Sequence, residues 1–214
     1  RENPLHPNQH AYIAGRSCDS ALHQLVCKVE KALECKEVAL GVFLDIQGAF
    51  DCTRLQFILD SIRERGVDRQ LAAWIRALLE NRSVRMRHVG KSVTATTTRG
   101  FPQGGVLSPI LWSIVVDGLL RRLEDSGVFV QGYADDLVIL AVGKFEHTAS
   151  ELLSRALGTV DRWCAEAGLS MNPAKVVVVP FTRRGRLGHM VPLRIQGVDI
   201  RFDKQVKYLG VTLD

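Results

Sequence analysis

From position 18 to 34, Ala21, Leu22, Leu25, Val26, Val29 and Leu33 recur at three- and four-residue steps, the period of a helix with one buried face. The pattern then changes. Residues 38–45 form a short apolar run with β-branched members, which suits a strand buried on both sides. Two further helical stretches, 53–65 and 68–81, are separated by Gly66, and Asp68 is placed to cap the second. Residues 83–88 and 92–98 flank Val89, Gly90 and Lys91 and read as a hairpin rich in Thr and Arg. After a glycine- and proline-containing loop at 100–105, the spacing predicts a helix over 108–124. Two apolar strands, 128–134 and 137–142, meet at an acidic tip, and a long helix over 145–167 stops at Gly168. The tail predicts strands at 176–181, 193–195, 199–202 and 206–213, and residues 1–17, rich in Pro, Asn and His, read as a loop. Helices and strands alternate without a regular βαβ beat, so an α+β fold is expected, with no internal repeat.

Composition adds bounds to this picture. The chain has 214 residues, 46% of them hydrophobic and 24% charged, enough apolar material for a sizeable core and too little charge bias for disorder. The net charge of +5 leans mildly towards polyanionic partners. Five cysteines, an odd number with no C-x-x-C spacing, indicate neither a disulfide framework nor a zinc finger, and point to a reduced, intracellular setting. The six histidines are scattered singly and read as surface or core residues rather than ligands. The most apolar helical stretch is too short for a bilayer and carries Asp117, so no membrane partner is expected. The opening Arg1-Glu2-Asn3-Pro4 has neither an initiator Met nor an apolar run, as expected of a piece of a longer polypeptide.

Two places carry candidate chemistry. The run Val42-Phe43-Leu44 ends in Asp45, a carboxylate closing an apolar strand; alone it is as compatible with simple solvent exposure as with a site. Asp51, six residues on, is expected to cap the following helix. At the second place, Asp135 and Asp136 occupy the tip between two apolar arms. At about 4 Å two unit charges repel by roughly 1 kcal/mol in water and roughly 4 kcal/mol at an effective dielectric of 20. A cluster of this kind, joined by Asp45, is tolerable mainly when divalent cations neutralise it, and hard oxygen donors suit Mg²⁺.

In order along the chain, Phe43-Leu44-Asp45 through Phe50-Asp51, Gly100-Phe101-Pro102-Gln103-Gly104-Gly105, and Tyr133-Ala134-Asp135-Asp136 resemble the central motifs of reverse transcriptases. The similarity continues in Gly168-Leu169-Ser170-Met171-Asn172-Pro173-Ala174-Lys175 and in Lys207-Tyr208-Leu209-Gly210. Gln9-His10-Ala11-Tyr12 with Gly15-Arg16-Ser17 resembles the segment ahead of the first catalytic strand in non-LTR, LINE-type retrotransposons.

This resemblance implies a polymerase palm, an antiparallel sheet backed by helices, with partial fingers. Residues 1–37 would be a fingers or N-terminal segment, and 38–214 a palm with inserted fingers helices at 52–99, ending at a primer-grip-like hairpin. It implies that Asp45, Asp135 and Asp136 hold two Mg²⁺ ions, with Mn²⁺ a possible substitute, for transfer of dNTPs onto a primer 3′-hydroxyl. Lys175 matches the family's lysine near the leaving pyrophosphate, a general acid. Phe50, beside Ala49, would stand under the incoming sugar and exclude a 2′-hydroxyl, or serve as a core aromatic. Pro102, Gln103 and Gly104 would let backbone approach the nucleotide. Tyr133, Arg99, Lys207, Tyr208, Leu209 and Gly210 would meet primer or template, while Arg82, Arg85, Arg87 and Lys91 are candidates for template phosphates. The implied partners are an RNA template, a DNA primer or target and dNTPs, and the implied site of work is the nucleus.

Two departures stand out: Phe101 where the family often has a small residue or Cys, and a wholly apolar 176–179 after Lys175. The chain alone, beginning after the family's basic fingers strands and ending before a thumb, is expected to be weak or inactive. The competing readings are a group II intron-type reverse transcriptase, an RNA-dependent RNA polymerase, and a decayed or domesticated RNA-binding protein. The bulky Phe50 and the Ala in Tyr133-Ala134-Asp135-Asp136 argue against the RNA polymerase.

Overall fold

The computed structural model describes residues 3–184 and 188–214, so positions 1 and 2 of the expected N-terminal loop lie outside it. The elements in chain order are α1 (Cys18–Glu34), β1 (Val38–Gln47), α2 (Ala49–Cys52), α3 (Leu55–Glu64), α4 (Arg69–Leu79), β2 (Arg82–His88), β3 (Lys91–Thr97) and α5 (Ser108–Glu124). They continue with β4 (Phe129–Tyr133), β5 (Asp136–Gly143), α6 (Glu146–Ala167), β6 (Ser170–Met171), β7 (Val177–Phe181), β8 (Arg194–Ile195), β9 (Val198–Asp199), β10 (Arg201–Phe202), β11 (Val206–Tyr208) and β12 (Val211–Leu213). Asp68 caps α4 as expected, accepting from the N–H groups of Gln70 and Leu71, and Gly168 ends α6 at a φ of 73° that a side chain would strain.

The main sheet has the order β10-β7-β1-β5-β4, and β6 also pairs with β1. β1 lies between β5 and β7, antiparallel to both. Its central place explains its composition. The even-numbered residues Val38, Leu40, Val42, Leu44 and Ile46 join a core with Trp112 and Val116 of α5 and Leu153 and Leu157 of α6. Ala39 and Phe43, on the other face, join Leu25 and Val29 of α1 and Tyr208 of β11. Helices on both faces turn a period-2 strand into a continuous apolar run. Each such Leu, Ile, Val or Phe contributes about 1.5–3 kcal/mol when fully buried. The apolar stretch after Lys175 has the same cause: in β7, Val178 packs on the α5–α6 side while Val177 and Val179 pack on the α1 side.

The expected N-terminal loop is a loop, but a docked one. Gln9 bridges Gly132, with His10 N donating to Gly132 O (2.9 Å) and Gly132 N to Asn8 O (3.0 Å), so these residues cover the β4 edge. His6, Gln9 and His10 are buried. Gln9 donates to Asp117, a buried carboxylate of α5 that also receives the guanidinium groups of Arg65 (2.6 Å) and Arg121 (2.7 Å). That convergence explains how an acidic residue sits in the most apolar helix. β2 and β3 form an exposed hairpin whose turn is Val89 and Gly90, both at positive φ. No described helix is long and apolar enough to cross a membrane.

Candidate active site

The register of four strands builds the site. Asp45 and Asp136 are direct cross-strand partners, and Tyr133 pairs with Asp136 across the β4–β5 hairpin. On the other side, Phe43 pairs with Val177, and continuing that antiparallel register by two residues sets Lys175 against Asp45. Lys175 Nζ does bond Asp45 Oδ2, at 2.9 Å. Lys175, Asp45, Asp136 and Tyr133 therefore form one row across the carboxylate end of β1. Asp45 and Asp136 lie on the same face as Phe43 and Val138, the α1 side of the sheet.

The row is electrostatically uncomfortable. The Asp136 carboxyl is pushed up to about 6 by burial first, then by Asp135 and Asp45, with Lys175 opposing. Lys175 is held protonated above its ordinary range, chiefly by its bond to Asp45. Among the described residues, no three His, Cys, Asp or Glu side chains stand close enough together to enclose a metal ion as they are. Asp45 is instead turned towards the Lys175 ammonium. The donor set itself, hard carboxylate oxygens carrying surplus negative charge at a half-buried strand end, has the chemistry that a divalent cation such as Mg²⁺ requires.

The turn that presents Asp135 is braced from below. Ala134 sits at φ 55°, uncommon for a residue with a Cβ, and its carbonyl accepts the indole N–H of Trp112 at 2.8 Å. Trp112 also packs against Phe50, ring centroids 6.0 Å apart, so one buried side chain supports both the acidic turn and the segment after β1. Phe50 meets Phe101 as well, again at 6.0 Å, which gives the departure at 101 a packing role.

The loop holding Pro102, Gln103 and Gly104 is stitched to that same segment. Phe101 N donates to Phe50 O (2.6 Å) and Gly100 N to Thr53 O (2.8 Å). Gly100 is at φ 70°, and a Cβ there would run into the carbonyl oxygens of Phe50 and Asp51, so the close approach requires glycine. Ala49 is buried beneath, at the start of α2.

Two expectations are corrected by this geometry. Asp51 caps no helix: it lies inside α2, α3 begins after Arg54 without a side-chain cap, and the Asp51 carboxylate instead accepts from Gln103 Nε2, 3.0 Å from both oxygens. Arg82 is not free for phosphate, because its guanidinium donates to the carbonyls of Leu79 (3.2 Å), Arg99 (2.6 Å) and Gly100 (2.7 Å). Arg85, Arg87 and Lys91 stay exposed on the hairpin, and Arg99 stands at its base, where a bridge joins it to Arg54.

Lys207 and Tyr208 close β11 and Leu209 and Gly210 form the turn of the β11–β12 hairpin, but Tyr208 points inward. Its ring meets Phe43 at 5.5 Å and its hydroxyl accepts from Gln131 Nε2 at 3.1 Å, leaving Lys207 and Gly210 exposed and Leu209 partly buried. Burial pushes the Tyr208 phenol well above its usual range. Gln131 was missed from sequence; a lone amide within the apolar run of β4 was the available signal, as an indole was for Trp112.

A model of the family described as reverse transcriptase (RNA-dependent DNA polymerase) matches residues 2–213. The chain belongs to the reverse transcriptase family. Its relatives are polymerases of LINE-type, non-LTR elements, as the resemblance of the 9–17 segment implied. The RNA-directed DNA polymerase from mobile element jockey of Drosophila melanogaster is 32% identical over 90% of this chain and 21% of its own length. The Pol polyprotein from type-1 retrotransposable element R1 of Bradysia coprophila is 29% identical over 96% of this chain and 20% of its own length. The chain thus spans about a fifth of the length of the curated relatives it matches. Among solved structures, telomerase from Candida tropicalis in complex with a fragment of telomeric RNA aligns with a TM-score of 0.63 at 12% identity, over 90% of this chain and 32% of that one. That likeness identifies a palm-type polymerase fold, α+β as expected.

Proposed function

We propose that this chain is the catalytic core of an RNA-directed DNA polymerase that transfers dNTPs onto a primer 3′-hydroxyl under the direction of an RNA template. The observation that carries the reading is the cross-sheet row in which Asp45 and Asp136 are paired on one face with Lys175 beside them. Asp45, Asp135 and Asp136 are the residues that would hold the two Mg²⁺ ions, with Mn²⁺ a substitute. When bound, such ions stabilise the charge that develops on the attacking and leaving oxygens of an in-line displacement at phosphorus. The chain's own residues do the rest. Trp112 fixes the acidic turn, and the Phe50–Phe101 pair shapes the floor on which the sugar would rest, excluding a 2′-hydroxyl by bulk. Lys175, an ammonium already beside Asp45, would deliver its proton to the leaving pyrophosphate.

Backbone of the 102–104 loop would face the nucleotide, and Tyr133, Lys207, Leu209 and Gly210 the primer, with Tyr208 acting as the buried anchor of that hairpin. Arg85, Arg87, Lys91 and Arg99 would track template phosphates. In this assignment residues 38–214 are palm, 52–99 inserted fingers, and 1–37 the N-terminal segment that docks on the β4 edge. A DNA target would supply the primer, which places the work in the nucleus.

The test is primer extension on an RNA template by the polypeptide that contains this chain. dNTPs should be incorporated in preference to rNTPs, and Asp136→Asn should lower the rate by about a thousandfold, the several kcal/mol that charge stabilisation of this kind supplies. Extension by Asp136→Asn at the unaltered rate would overturn the proposal.

A further inference from the structure

Lys175 stands at the end of a bulge. Along one edge of β1, Ile46 pairs with Met171 and Phe43 with Val177, so the facing chain runs from 171 to 177 while β1 runs only from 46 back to 43. Lys175 keeps the register of β7, which leaves the surplus residues between Met171 and Lys175. Inside that bulge Lys175 N donates to Asn172 O (2.9 Å) and Ala174 N to Asn172 Oδ1 (3.1 Å). The β7 end of the segment is firm, because Val177 pairs with β1 on one side and β10 on the other. The opposite end, β6, is only Ser170–Met171.

A side chain holds that weaker end. Ile46 N donates to Asp135 O on the β5 side, so Met171, the partner of Ile46, turns its own N–H and C=O away from β1. Gln196 meets both groups. With its amide oriented to serve the two, Gln196 Oε1 accepts from Met171 N (3.1 Å) and Nε2 donates to Met171 O (3.3 Å). One side-chain amide thus does for Met171 what a neighbouring strand would do. Gln196 is itself fixed: with Gly197 it forms the two-residue turn between β8 and β9, at φ 50° and 76°. Its N–H donates to Asp161 Oδ2 of α6 (3.0 Å), and Ile195 before it is fully buried in the core. Asn is the favoured residue at such a turn position, so the turn alone gives no reason for the longer glutamine.

We propose that Gln196 is a positioning residue which, by clamping Met171, fixes the start of the bulge and so sets the Lys175 ammonium where the pyrophosphate leaves. The inference rests on the functional reading above. There Lys175 Nζ gives a proton to the pyrophosphate oxygen as the bond from that oxygen to the α-phosphorus breaks. Gln196 acts on this step through Met171 and the bulge.

The experiment is single-turnover nucleotide extension by the full polypeptide carrying Gln196→Asn. Asn suits the turn but is one methylene too short for the clamp, so the thermal midpoint should not fall. Lys175→Ala should slow the step about a hundredfold, the scale of a lost general acid. Gln196→Asn should slow it about tenfold by misplacing the same group, with KM for the dNTP unchanged. The loss should be larger for a dNTP whose β,γ-bridging CH₂ makes the leaving group more basic than for one bridged by CF₂, because a poorer leaving group depends more on the proton. In the Lys175→Ala background, Gln196→Asn should cost nothing more. An unaltered rate in Gln196→Asn, a loss that persists in the Lys175→Ala background, or a loss that comes with a lowered thermal midpoint would overturn the inference and leave polymerisation standing. Lys175→Ala at the unaltered rate, or no dNTP incorporation by the unaltered protein, would overturn the functional reading and this inference with it.

Discussion

The two ends of β1 are the same strand in opposite circumstances. From Val38 to Leu44 every side chain is buried, gripped by α5 and α6 on one face and by α1 on the other. Within one further residue the strand reaches Asp45, which faces Asp136 and leans on Lys175. The first part lowers the free energy of the fold; the second raises it, since Asp136 carries a burial and repulsion penalty that the apolar part must offset. Under the proposed function these charges would serve catalysis at the expense of stability, a cost that the firmly anchored end offsets.

Substitutions at the two ends should therefore move stability in opposite directions. The largest effect is expected at the anchored end, where Leu40 is fully buried. Leu40→Ala removes a side chain from the middle of the sheet and should cost about 2–5 kcal/mol in urea unfolding. A loss under about 1 kcal/mol would mean that the site collapses around the gap and the strand is less tightly held than described.

At the charged end, Asp136→Asn should stabilise the metal-free protein at neutral pH by about 1 kcal/mol, a value discounted for solvent screening of a half-buried group. The sign follows from its carboxyl titrating near 6 rather than at the ordinary 3.8. Between those values the folded protein holds more proton than the unfolded chain, so stability is fully present below about 4 and falls as pH rises through about 6. Thermal unfolding across that window should show the decline in the unaltered protein and a flatter profile in Asp136→Asn. A steeper decline in the variant would reverse the assignment of strain to this end.

The contrast also governs what the sequence made legible. The anchored end was readable because burial on both faces leaves an unbroken apolar run, and the α6 stop at Gly168 and the Asp68 cap were readable because each serves a local hydrogen-bonding need. The row of Asp45, Asp136 and Lys175 was readable only through motif resemblance, since strand register depends on pairings between residues 91 and 130 positions apart. Asp51 was misassigned because Asp ahead of a helix is a common cap, whereas its partner, Gln103, comes from a loop 52 positions away. Arg82 likewise looked like a surface charge until the backbone carbonyls at 99 and 100 folded over it. Trp112 and Gln131 lacked any local signal beyond a polar atom that burial would oblige to find a partner.

The central claim is that carboxylates brought together by β1 and β5 serve a divalent cation. Mn²⁺ titrated into the protein and followed by electron paramagnetic resonance tests it without recourse to turnover. The account predicts saturable binding that Asp45→Asn and Asp136→Asn each weaken by at least about tenfold, no less than the loss of a group that merely supports a ligand, while Asp51→Asn leaves it alone. Equal Mn²⁺ affinity in the unaltered protein and in Asp136→Asn would contradict it.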